Sequence, residues 1–67
     1  MWQRIIDRYV EKIDVDNINS KKDFDTQLIK TCQIIEANYK ITNVSKLHSD
    51  VKHNINVKLL MLNKQTY

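Results

Sequence analysis

Apolar residues recur at helical spacing along three stretches of this chain. In the first, from about Met1 to Ile13, Trp2, Ile5, Ile6, Tyr9, Val10 and Ile13 follow the i, i+3, i+4, i+7 pattern. Arg4, Asp7, Arg8 and Glu11 take the other side, which predicts a helix with one face in water. Asp14 to Asn19 is rich in short polar side chains that compete with helical hydrogen bonds, and it reads as a loop. Ser20 then suits an N-cap, with Asp23 as the acidic member of a capping box.

The second stretch runs from about Lys21 to Tyr39, with Phe24, Leu28, Thr31, Cys32, Ile35 and Tyr39 as its stripe. Ile29 and Ile34 fall outside it on two sides, a broadened pattern that suits a helix sandwiched between two others. Lys40 to Val44 links it to the third stretch, which runs from Val44 or Ser45 to about Lys64. Its stripe is Val44, Leu47, Val51, Ile55, Leu59 and Leu62. At about 100° per residue, Val57 and Leu60 point almost opposite to Ile55, with Met61 beside them. With His53 and Lys64 they form a second face. The two long helices and their short link predict an antiparallel hairpin, with the first helix packed on it. The expected fold is all-α: a small, mostly antiparallel three-helix bundle spanning residues 1–67 as one domain.

Composition supports the helical reading. The chain has no Gly and no Pro, the residues of tight turns and of phosphate-cradling loops. Its nine Lys, two Arg, nine Ile and seven Asn suggest an AT-rich coding genome. The single cysteine fits a reducing compartment, which predicts a cytoplasmic protein. Charges interrupt the first residues, unlike a secretory signal, and the longest apolar run, Leu59 to Leu62, is far too short to span a bilayer. Net charge is +3, with −1 up to Ile29 and +4 from Lys30 onward. That asymmetry favours an acidic partner over a basic one.

No motif for chemistry stands out. Asp14, Asp16 and Asp25 have calcium-loop spacing, but Ile18 and Asn19 occupy positions that need an oxygen ligand and a Gly, so the acids read as helix caps. His48 and His53, five apart, do not share a helix face and make no zinc pair. Cys32 lies mid-helix, where nothing activates a thiol, and reads as a small buried hydrophobe. No cofactor, metal or small-molecule substrate is implied, and the chain is not expected to be an enzyme. Trp2 reads as cover for one end of the bundle, or else as an anchor in a partner's pocket.

Two functions remain. The leading expectation is a small interaction module (regulator, inhibitor, adaptor or assembly subunit) that lays an apolar helix face on another protein chain, or on a second copy as a homo-oligomer. Val57, Leu60 and Met61 would be the contact core, with His53 and Lys64 at the rim; the plainer alternative is that the chain covers this patch itself, by a bend at its C-terminal end or by the first helix crossing over it. The alternative is a DNA- or RNA-binding regulator using Lys40, Lys46, Lys52, Lys58 and Lys64, with Asn54, Asn56 and Asn63 as base contacts. Lysines six apart spiral round a helix, however, and make no single phosphate-facing stripe.

Overall fold

The computed structural model describes residues 2–67, so the predicted start at Met1 lies outside the described residues. It is an all-α three-helix bundle: α1 (Trp2–Glu11), a 3₁₀ turn (Val15–Asn17), α2 (Lys21–Asn38) and α3 (Val44–Met61). Ser20 caps α2 by accepting the Asp23 N–H at 3.1 Å, while the Asp23 carboxylate accepts the Asn19 N–H at 3.1 Å. Asn43 caps α3 through the Lys46 N–H at 3.0 Å. Each cap satisfies a donor that a helix start leaves free.

The core is a single cluster. Ile6 and Val10 of α1 meet Phe24, Cys32 and Ile35 of α2 and the row Leu47, Val51, Ile55, Leu59 of α3. Steps of four residues keep the α3 row on one side of that helix for its whole length. α3 is the central element: it packs on both α1 and α2, which touch each other least. Ile29 and Ile34, expected to be covered by helices on either side of α2, are instead exposed.

Four further boundaries and faces differ from the sequence reading. α1 stops at Glu11, and Ile13 is buried beyond its end. The segment read as a polar loop contributes two buried residues, Val15 and Ile18, because the 3₁₀ turn aims both inward. Val44 and Leu62, expected in the α3 stripe, are exposed, since they sit at the two ends of that helix where no neighbour covers them. α3 ends at Met61 and not at Lys64, because Asn63 adopts φ 57°. The Lys64 N–H then bonds Leu59 O at 2.8 Å and the Asn63 N–H bonds Leu60 O at 3.0 Å. This paired closure needs a left-handed residue, and Asn accepts that conformation better than most in a chain lacking Gly.

Beyond Asn63 the chain turns back on the bundle. Asn56 clasps the Tyr67 backbone, accepting its N–H at 3.0 Å and donating to its main-chain oxygen at 3.3 Å. The Tyr67 ring lies 5.3 Å from that of Phe24, centre to centre.

Candidate protein-interaction face

The last two turns of α3 place two leucines side by side with opposite surroundings. Leu59 is fully buried, whereas Leu60 is 62% exposed. Met61 is 77% exposed and Val57 39%. His53, Val57, Leu60 and Met61 stand at i, i+4, i+7 and i+8, so they share one face of the helix, and all are exposed. This face exists because the buried row already occupies the opposite side of α3 and, among the described residues, no further helix lies over it.

Beside Val57 the surface dips into a hollow of about 300 Å³ between α1 and α3. Val10 and Val57 supply its apolar wall, and Asp7 and Glu11 border it. The face is thus a ridge (Leu60 and Met61) next to a depression, with carboxylates on the α1 side.

Lys64 does not join this face. Past the left-handed Asn63 it reaches the other way, donating to Val15 O at 3.0 Å, Asp16 O at 2.8 Å and Asn19 Oδ1 at 3.3 Å. Lys58 makes a matching reach to the end of α1, where its ammonium lies 3.1 Å from Val10 O and 3.4 Å from Glu11 O. Lys58 places positive charge against carbonyls at the C-terminal end of α1, where the helix dipole favours it, while Lys64 ties the 3₁₀ turn to the end of α3. Nothing in the local sequence announces these contacts, because the partners lie 45 or more residues away.

The other candidates are also placed. Trp2 is half-buried at one end of the bundle and donates its indole N–H to Asp50, with the Lys46 ammonium 5.9 Å from its ring centre. Asn54 accepts from Gln3 at 2.9 Å. Among the described residues, no three of His, Cys, Asp and Glu come together as metal ligands.

Cys32 is fully buried. Burial, and secondarily the charge of Glu36, pushes its thiol up from an ordinary 9.0 to about 11. The folded state therefore holds the thiol proton more tightly than the unfolded chain. That contribution is intact below pH 9.0 and is lost as pH rises towards 11. Urea unfolding from about pH 8 to about pH 11 should show wild type losing more stability than Cys32→Ala. Parallel curves for the two proteins would contradict this.

No protein-family model, curated protein or solved structure matches the chain. No helix among the described residues is long and apolar enough to cross a membrane.

Proposed function

We propose that this protein is a non-enzymatic helical interaction module whose working surface is the outer face of α3. One observation carries the reading: Leu60 and Met61, large and apolar, stand 62% and 77% exposed beside Val57. Single exposed apolar residues are common on soluble proteins, but a cluster on one helix face is a mark of contact surfaces. Met suits such a surface because its flexible thioether adapts to the shape opposite. The module acts by occupancy, as a regulator, inhibitor, adaptor or assembly subunit, in the reducing cytoplasm that a lone buried thiol tolerates. The covering chain is a second copy or another protein.

The nucleic-acid alternative draws less support. Lys58 and Lys64 are spent on backbone carbonyls, and Asn54 and Asn56 on bonds within the chain. Asn63 forms the stop of α3.

Leu60→Asp tests the proposal. The variant should melt like wild type, yet lose any concentration-dependent mass seen by sedimentation and any protein that wild type retains from the source cell. Unchanged assembly together with a large loss of stability would make Leu60 an ordinary core residue and end the reading.

A further inference from the structure

A second surface, on the far side of the bundle from α3, has its own character. α1 and α2 make the smallest contact of the three helix pairs, and a groove of about 350 Å³ opens between them. Its apolar surface comes from Tyr9 and Ile13 on the α1 side and Ile34 on the α2 side. Ile34 is 42% exposed, an outward branched aliphatic side chain in the second half of a long helix. Lys12 lines the groove from the α1 side and Lys30 from α2. Neither pairs with a carboxylate: the one salt bridge among the described residues joins Lys21 to Asp25. Asp14 is the sole acid that borders the groove.

We propose that this groove receives an acidic amphipathic helix from another protein. Lys12 and Lys30, unpaired and one on each side of the apolar Tyr9, Ile13 and Ile34, complement carboxylates set on both sides of an apolar stripe, and they disfavour a basic segment. A helix is the occupant that fits, because the walls are helices and offer no strand edge to extend. Seated on α1 and α2 at the usual spacing of about 8–10 Å, it would turn three helices into a four-helix arrangement. Nucleic acid fits less well. The groove's one aromatic ring, Tyr9, is already covered by the Lys12 ammonium, 5.4 Å from its centre, which leaves no free ring for a base to stack on. The surface is separate from the α3 face and does not depend on it. If both are used, the protein bridges two chains.

The test uses a synthetic helix of about 18 residues, about 27 Å long, with Leu at i, i+3, i+4 and i+7 spacing and Glu on both flanks. Titrated into the ¹⁵N-labelled full chain, it should bind saturably and shift amides around Lys12, Lys30 and Ile34. The same peptide with Lys in place of Glu should bind at least about tenfold more weakly. Ile34→Asp, and separately Lys12→Glu with Lys30→Glu, should weaken the Glu peptide by about tenfold or more without lowering the melting temperature. Leu60→Asp should leave it unchanged. The proposal is overturned by no binding at about millimolar peptide. It is equally overturned by shifts centred on Val57 and Leu60, by indifference to these substitutions, or by displacement of the peptide with oligo-dT.

Discussion

Leu59→Ala should destabilise the protein by about 2–5 kcal/mol, while Leu60→Ala changes stability by no more than about 0.5 kcal/mol. The two residues are adjacent and chemically identical, so only their surroundings separate them. Leu59 is 0% exposed, and truncating it removes buried methyl groups and leaves a cavity that its neighbours cannot fully close. Leu60 is 62% exposed and loses little that water did not already touch. A domain of this size has about 3–10 kcal/mol in all, so the first truncation removes a large share of it. At about 4–8 °C per kcal/mol, Leu59→Ala should melt at least about 8 °C below wild type. Thermal unfolding followed by circular dichroism gives both numbers. If Leu60→Ala falls as far as Leu59→Ala, its side chain is core and the proposed interaction face disappears with it.

That contrast was legible in the amino-acid sequence, because the phase of a regular helix fixes which residues oppose one another. Leu47, Val51, Ile55 and Leu59 define the buried row, and Val57 and Leu60 must then point away. The same logic located the α1 stripe and the Phe24, Cys32, Ile35 row of α2. Periodicity is silent on which helix occupies the centre: the broadened pattern of α2 suits a middle helix, yet the middle helix is α3, and Ile29 and Ile34 are exposed. It is silent also where the backbone leaves the helix. The stop at Asn63 carries no clear sequence signal, because the usual mark of a left-handed residue is Gly. A helix continued through Lys64 would put that residue on the outer face; one residue with φ 57° sends it instead to the 3₁₀ turn. Contacts of this kind depend on the assembled fold, and local pattern cannot supply them.

The largest loss should come from a residue in a segment that looks like solvent-exposed loop. Ile18→Asp is expected to cost more than about 4 kcal/mol and to leave the chain largely unfolded at room temperature. Ile18 is 2% exposed and belongs to the one core cluster, together with Val15 from the same turn. A carboxylate there meets apolar neighbours. It must be stripped of water with no partner or be protonated, and either course favours the unfolded chain. Asp16→Ala, two residues away on the exposed side of the same turn, should stay within about 0.5 kcal/mol of wild type. Lys64→Ala should fall between, because the Val15 and Asp16 carbonyls that accept its ammonium lose a charged donor but keep access to water. Urea unfolding of the three variants should rank them in that order. An Ile18→Asp protein that keeps its full far-ultraviolet helical signal and its melting temperature would mean that the turn between α1 and α2 is not part of the core. The bundle would then rest on its three helices alone, with Lys64 holding a loop that the fold does not need.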